Sequence, residues 1–224
     1  MIGRRRVIGV VPARAGSQRL PHKNVRLMAG RPMIAWTLGS ALASRVLDHL
    51  VVTSDDGAVL NIARALGVEA LRRPDALSGP DASVIDAVAH ALEQVGGVWD
   101  YVVLLQPTSP LRLADDIDGA VALCDATDAP AVLGVSPLPK PDAFYDRLEA
   151  DGRLSGAPDL QGVSLINGAI YVARTPLLMA ERTFRLHGAL GFTMPGQRGW
   201  DVDTLEEFQA CEALLQIRGP QYKT

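Results

Sequence analysis

Cysteine is scarce in this sequence. The 224 residues hold only Cys124 and Cys211, both within apolar helical patterns, and two such residues make neither a disulfide framework nor a zinc site. A reducing cytoplasm is therefore the expected compartment. His22, His49, His90 and His187 show no metal-ligand spacing. No apolar run approaches the length of a membrane span, so no membrane association is expected. Charge of one sign is missing as well. The 22 Lys and Arg against 25 Asp and Glu leave a net −3, where a general nucleic-acid binder would show a basic face or excess. There is no internal repeat, no low-complexity segment, and neither a GxGxxG nor a Walker A pattern. Ser17 lacks a recognisable His–Asp partnership, which argues against a serine hydrolase.

What remains is an ordinary soluble composition, 48% apolar, long enough for one large core or one domain with an appended lobe. Arg4-Arg5-Arg6 before Val7 to Val11 faintly suggests a secretory leader. The apolar stretch is short, contains Gly9 and runs straight into Pro12 and Arg14, so it reads as a first strand with a basic lead-in. That strand feeds Pro12-Ala13-Arg14-Ala15-Gly16-Ser17-Gln18-Arg19-Leu20-Pro21-His22-Lys23-Asn24. Small residues let backbone N–H groups approach an anion, and Arg14, Arg19 and Lys23 would neutralise it, which makes the loop a candidate phosphate cradle. Taken alone, it also fits a solvated basic surface loop.

Strand and helix patterns then alternate. Pro32 opens a helix with an apolar face of Ile34, Leu38, Ala41 and Leu42. His49 to Thr53 reads as a strand, and Val59, Ile62, Ala63 and Leu66 form the next helical face, stopped by Gly67. Val68 to Leu71 suits another strand. Ser83 is an N-cap with Asp86 as its capping-box partner. Tyr101 to Leu105 is nearly all apolar, as a strand covered on both sides would be. A helix around Ala114 to Cys124 and a strand from Ala131 to Val135 follow. Prolines at 137, 139, 141 and 158 break the pattern, so an extended excursion, serving dimerisation or the acceptor, is expected at about 137–166 within one domain spanning 1–224. Asn167 to Val172 returns as a strand, Thr175 and Pro176 suit the start of a short helix, and Thr204 with Glu207 forms a capping box for a last helix faced by Leu205, Phe208, Cys211 and Leu215. The alternation predicts a three-layer α/β domain with a mainly parallel sheet. Ligands collect at the carboxyl ends of such strands, which places Arg14, Asp55, Gln106 and Thr108 near one crevice.

Gly199-Trp200-Asp201-Val202-Asp203-Thr204 carries the second chemical signal. In an extended Asp-x-Asp the two carboxylates project to the same side, and a carboxylate pair can hold Mg²⁺ that also binds substrate phosphates. Asp203 equally suits the helix N-terminus by charge alone. Asp55 and Asp56, at a strand's end, suit turn or capping roles. Gln106 and Thr108 can read a base or sugar by hydrogen bonding, or simply close their loop beside Pro107 and Pro110.

Four segments together resemble the CMP-sialic acid synthetase (N-acylneuraminate cytidylyltransferase) family of CMP-activating enzymes. They are Pro12-Ala13-Arg14-Ala15-Gly16-Ser17 through Lys23-Asn24, Leu104-Leu105-Gln106-Pro107-Thr108-Ser109-Pro110-Leu111-Arg112, Asn167-Gly168-Ala169-Ile170-Tyr171, and Asp201-Val202-Asp203-Thr204. The resemblance implies a nucleotide-diphospho-sugar transferase (Rossmann-like) fold and a homodimer. It implies that Arg14, Gly16, Ser17, Lys23 and Asn24 hold CTP phosphates, that Ala15 is a further nucleotide-binding residue, and that Arg73 lies near the nucleotide. The cytosine would be read by backbone and small residues near Ala13 and Ala82. Gln106, Thr108 and Asn167 match positions near the acceptor, and Asp201 and Asp203 match metal carboxylates. The chain departs from the family in carrying Pro80 where Asp is frequent, and in lacking an Arg-Arg-Gln-like stretch before Asn167.

The expected reaction joins CMP from CTP to an acidic acceptor and releases pyrophosphate, with Arg14, Lys23, Asp201 and Asp203 as the catalytic set. The acceptor is either a nine-carbon sialic-type sugar or a smaller acid such as a phosphonate, with Arg112 and Lys140 as candidate partners of its acidic group. A catalytically silent nucleotide-binding protein on the same fold is the rival class. Preserved Arg14, Lys23, Asp201 and Asp203 argue against it.

Overall fold

The computed structural model describes residues 2–17, 19–79 and 81–218; Gln18 and Pro80, noted above, lie outside the described residues. In chain order the elements are β1 (Val7–Pro12), the short hairpin β2 (Leu27–Met28) and β3 (Arg31–Pro32), α1 (Met33–Leu42), β4 (His49–Ser54), α2 (Gly57–Ala65), β5 (Glu69–Arg72), α3 (Val84–Val95), β6 (Tyr101–Leu104), α4 (Ala114–Thr127), β7 (Ala131–Ser136), β8 (Leu165–Arg174), α5 (Thr175–Glu181), β9 (Leu190–Thr193) and α6 (Leu205–Arg218). Seven strands form one sheet in the order β5-β4-β1-β6-β8-β7-β9. Pairings β5–β4, β4–β1, β1–β6 and β7–β9 are parallel. Only β8 runs against its neighbours β6 and β7. The mainly parallel, three-layer α/β expectation holds.

The two faces of the sheet follow from the two-residue period of a strand. Val7 and Val11 of β1, with Tyr101 and Val103 of β6, pack under α1, α2 and α4 through Ile34, Leu38, Val59, Ala63, Ile117 and Val121. Ile8 and Val10, with Val102 and Leu104, pack on the other face under α3 and α5 through Ile85, Val88 and Leu178. A third cluster lies beyond the strands' carboxyl ends. There α6 lays Phe208, Cys211 and Leu215 against Leu20 of the basic loop, Met28, Trp36 and Val202. No helix among the described residues is long and apolar enough to cross a membrane.

Several local expectations shift. Leu42, Leu66 and Leu205 sit at the exposed margins of the faces assigned to them. Ser83 caps α3 by accepting from Ile85 N at 3.1 Å, but Asp86 turns away to pair with Arg182 across to the end of α5 instead of completing the box. The N-cap of α5 is Arg174, one residue earlier than expected, because Thr175 already has helical geometry ahead of Pro176. Thr204 and Glu207 do form the reciprocal box: Glu207 N donates to Thr204 Oγ1 at 3.2 Å and Thr204 N donates to Glu207 Oε2 at 2.8 Å. The edge strand β9, absent from the sequence reading, is four residues broken by Gly191, which gives no alternation to detect. The excursion is a loose ribbon with one Leu148–Leu154 bridge and a turn at Gly152, whose φ of +86° suits glycine.

Candidate active site

The basic loop leaves β1 at Pro12 and is shaped before any ligand arrives. Ala15 N donates to Asp55 Oδ1 at 2.9 Å, so the turn residue after β4 is a strut for the loop. Ala15 and Gly16 do not line the cavity that forms here, although the sequence reading gave Gly16 to the phosphates and Ala15 to the nucleotide; the Ala15 amide is already engaged. Asn24 steadies the far side by donating to Arg14 O at 3.2 Å. Arg73, 4% exposed, donates to Ser78 Oγ at 3.1 Å and faces Asp55 at 3.6 Å. Burial lowers its affinity for the proton, Asp55 opposes that, and nearby Arg14 adds to it.

The second half of the site is the Asp-x-Asp segment. Val202 is fully buried in the third cluster, so Asp201 and Asp203 emerge on the side opposite to it. Three ties hold this segment: Val202 N donates to Thr108 O at 2.8 Å, and Lys23 Nζ donates to Val202 O at 2.6 Å and to Asp203 Oδ1 at 2.8 Å. Arg19 pairs with the other oxygen of Asp203. Burial pushes the Asp201 carboxyl up; the Thr108 hydroxyl partly opposes this and Asp203 reinforces it. Just upstream, Gly199 packs so closely that a Cβ there would meet Asn167 Nδ2 and Ser136 Oγ, each at 2.5 Å. Arg198 is anchored to the nearly buried Asp116 of α4 at 2.9 Å.

These pieces enclose a cavity of about 560 Å³ bordered by Ala13, Arg14, Ser17, Arg19, Lys23, Asn24, Arg73, Ala82, Gln106, Thr108, Asp201 and Asp203, with Ser83 at the start of α3. Four cations thus share one cleft at the strands' carboxyl ends. Arg19, read from the sequence as one of the loop's anion-neutralising cations, is brought beside Asp203 by the fold. A second cavity, about 790 Å³, abuts the first and shares Gln106 and Asp201 with it; Asn167, Tyr171, Trp200 and Glu206 also border it. Gly168, with φ of +75°, lets the Gln106 amide approach, since a Cβ would stand 2.9 Å from its Oε1.

Three sequence candidates for the acceptor are placed differently. Arg112 is 1% exposed and borders neither cavity. It donates to Gln106 O at 3.4 Å and to Ala169 O, bracing the loop after β6, and burial pulls its guanidinium down to about 9. Lys140 stands exposed in the excursion and borders neither cavity. Asn167 does border the second cavity, but its amide donates to Ser136 Oγ at 3.0 Å and accepts from Ala169 N at 3.0 Å, so it builds the wall. Tyr171, Trp200 and Glu206 were missed because an isolated aromatic or helix-start acid carries no sequence signal of its own.

Comparison with known proteins follows the same line. A family model described as cytidylyltransferase matches residues 8–134. The chain is 31% identical over 227 residues to CMP-N,N'-diacetyllegionaminic acid synthase of Legionella pneumophila, covering 95% of this chain and 97% of that one. It is 28% identical to N-acylneuraminate cytidylyltransferase of Escherichia coli, covering 97% of this chain and 54% of that enzyme, of which it therefore spans about half the length. Among solved structures, a CMP:2-keto-3-deoxy-manno-octonic acid synthetase complexed with CTP superposes with a TM-score of 0.72 over 95% of this chain and 99% of that one. At 19% identity, that likeness speaks for the fold alone.

Proposed function

This chain belongs to the cytidylyltransferase family, and from that premise we propose that it transfers CMP from CTP to a sialic-acid-type keto-sugar acid with release of pyrophosphate. The observation that carries the reading is the wall common to the two cavities. One cavity holds Arg14, Arg19, Lys23 and Arg73, suited to a triphosphate. The other has no Lys or Arg on its border and carries Asp201, Glu206 and Glu207. Both are bounded by Gln106 and Asp201, so a nucleotide in the first presents its α-phosphate to an acceptor in the second. A volume of about 790 Å³ suits a nine-carbon sugar better than a small phosphonate.

In the proposed reaction an acceptor hydroxyl oxygen attacks the α-phosphorus in line. The new P–O bond forms as the bond to the β-phosphate bridging oxygen breaks; its electron pair leaves with pyrophosphate, and the hydroxyl proton passes to solvent. Arg14 and Lys23 offset the charge gathering on that leaving group, with Arg19 beside them, and do so preorganised. The Gln106 amide, for which Gly168 leaves room, orients the acceptor across the shared wall. Asp201 and Asp203 supply hard oxygen donors on one edge, which fits Mg²⁺ completed by substrate phosphates. Among the described residues no group of three or more His, Cys, Asp or Glu would hold a metal on protein ligands alone. When bound, Mg²⁺ supplies charge neutralisation and alignment of the phosphates.

The same reading takes the excursion as a homodimer surface, since Phe144, Leu148 and Leu154 are exposed along it. The test of function is pyrophosphate release from CTP with purified protein against sialic, legionaminic, pseudaminic and octulosonic acids beside a phosphonoformate-like acid. Turnover of a nine-carbon keto acid is expected. Turnover of the phosphonate alone would overturn the acceptor assignment, and CTP binding without any turnover would overturn the enzymatic one.

A further inference from the structure

Resting on the cytidylyl-transfer reading, we infer that Asp116 and Arg198, which border neither cavity, are positioning residues that set Asp201 against Gln106 across the shared wall. Asp116 sits in the first turn of α4 and is 3% exposed. Its two oxygens have different partners. Oδ1 pairs with Arg198 Nη2 at 2.9 Å, and Oδ2 accepts from Leu113 N at 2.9 Å. Arg198 stands three residues before Asp201, and the intervening Gly199 is wedged against Asn167 and Ser136. The ion pair therefore fixes the root of the Asp-x-Asp segment. On the other side lies Arg112, which braces the Gln106 and Ala169 carbonyls. Its Nε and Nη2 have no hydrogen-bond partner among the described residues, and Asp116 is the carboxylate whose charge offsets its burial. One buried carboxylate thus connects both roots of the wall, Gln106 through Arg112 and Asp201 through Arg198.

Capping α4 does not by itself call for this arrangement. Ser or Asn would satisfy a helix start without the cost of burying a carboxylate. Burial does push the Asp116 carboxyl up, and Leu113 N, Arg198 and Arg112 oppose that rise. A buried ion pair adds little stability over an apolar filling of the same space, but its directional partners admit one geometry. Phosphoryl transfer is sensitive to that geometry, because a displacement of about 1 Å in a reacting group can cost about 10²-fold in rate. The triphosphate cations Arg14 and Arg73 come from the loops after β1 and β5, not from this segment. The pair consequently bears on transfer and not on holding the nucleotide.

The experiment compares wild type with Asp116→Asn, Arg198→Met, Arg198→Lys and the double variant Asp116→Asn/Arg198→Met. Asp116→Asn keeps an oxygen for Leu113 N and removes the charge; Arg198→Met keeps the apolar stem; Arg198→Lys keeps the charge. With CTP, Mg²⁺ and the acid that the wild type turns over all saturating, kcat should fall about 10- to 100-fold in Asp116→Asn and Arg198→Met. CTP affinity by calorimetry should stay at the wild-type value, and Arg198→Lys should recover part of the rate. The double variant should be no slower than Asp116→Asn alone, since residues that act through one contact are not additive. Hydrogen exchange read by mass spectrometry is independent of activity: the amides of 199–204 should exchange faster in Asp116→Asn and Arg198→Met. The Arg198 side chain is 28% exposed, so its variants carry the test if Asp116→Asn does not fold. Wild-type kcat in Arg198→Met, unchanged exchange at 199–204, or a fall in kcat matched by loss of CTP affinity would overturn the inference while leaving cytidylyl transfer intact. Absence of wild-type turnover on every acid overturns the cytidylyl-transfer reading, and the positioning role falls with it.

Discussion

Replacing Lys23 by Ala tests the centre of the proposed mechanism. Lys23 is 7% exposed, and its ammonium donates to Val202 O at 2.6 Å and to Asp203 Oδ1 at 2.8 Å. It therefore ties the phosphate loop to the Asp-x-Asp segment. Each hydrogen bond from a charged group is worth about 1.5–3 kcal/mol. The net loss is smaller than the sum, because Asp203 remains about one-quarter exposed and keeps Arg19. A stability loss of about 2–3 kcal/mol is expected in urea denaturation. Turnover should fall further, by about 10²–10³ in kcat, because a preorganised cation on the departing pyrophosphate is removed. Lys23→Met separates the two effects by retaining the apolar stem, so stability should recover in part while the rate does not. Lys23→Arg should not restore activity, since a planar fork differs in reach from a compact ammonium in so enclosed a place. The assays are pyrophosphate release and calorimetric CTP titration on protein shown folded by its unfolding curve. Wild-type CTP affinity and turnover in Lys23→Ala would refute the reasoning.

Asp203→Ala should raise the Mg²⁺ concentration needed for half-maximal turnover and lower kcat about 10²–10³-fold, with Asp201→Ala similar; unchanged rates at limiting Mg²⁺ would remove both from the metal site. Gly199→Ala forces a methyl against Asn167 and Ser136, and should cost about 1–3 kcal/mol of stability and displace Asp201 enough to cut kcat by at least about 10-fold; a variant as stable and active as wild type would show that the segment yields freely. Burial pushes the thiol of Cys124 up to about 11 and that of Cys211 up to about 12, so neither should react with a thiol-specific reagent at pH 8 until the chain unfolds. Unfolded thiols titrate near 9, so unfolding releases protons above that pH and stability should fall as pH rises from about 9 towards 12.

Much was legible in the sequence because the signals were local and periodic. Val7 to Val11 and Tyr101 to Leu104 are apolar on both faces, which only a strand sandwiched between helix layers requires. Thr204 and Glu207 announce a helix start within four residues, and the basic loop after β1 announces an anion by composition. The side-chain alternation of an Asp-x-Asp segment also follows from strand geometry, before anything is known of what Val202 packs against. The acceptor residues were not legible in this way. Arg112 looked like a free cation at a loop's end, yet the return of β8 beside β6 brings Ala169 O over it and makes it a brace. Ala15 was assigned to the nucleotide by resemblance, yet Asp55, forty residues away, takes its N–H. Arg19 gained its Asp203 partner, and Trp200 and Glu206 came to border a cavity, only when α6 and the segment before it closed over the carboxyl ends of the strands. Hydrophobic periodicity and turn chemistry are properties of neighbours along the chain, so the sequence alone determined most of the elements and the cationic character of the loop after β1. The engagement of each polar group depends on partners scores of residues away, and that only the tertiary structure decided.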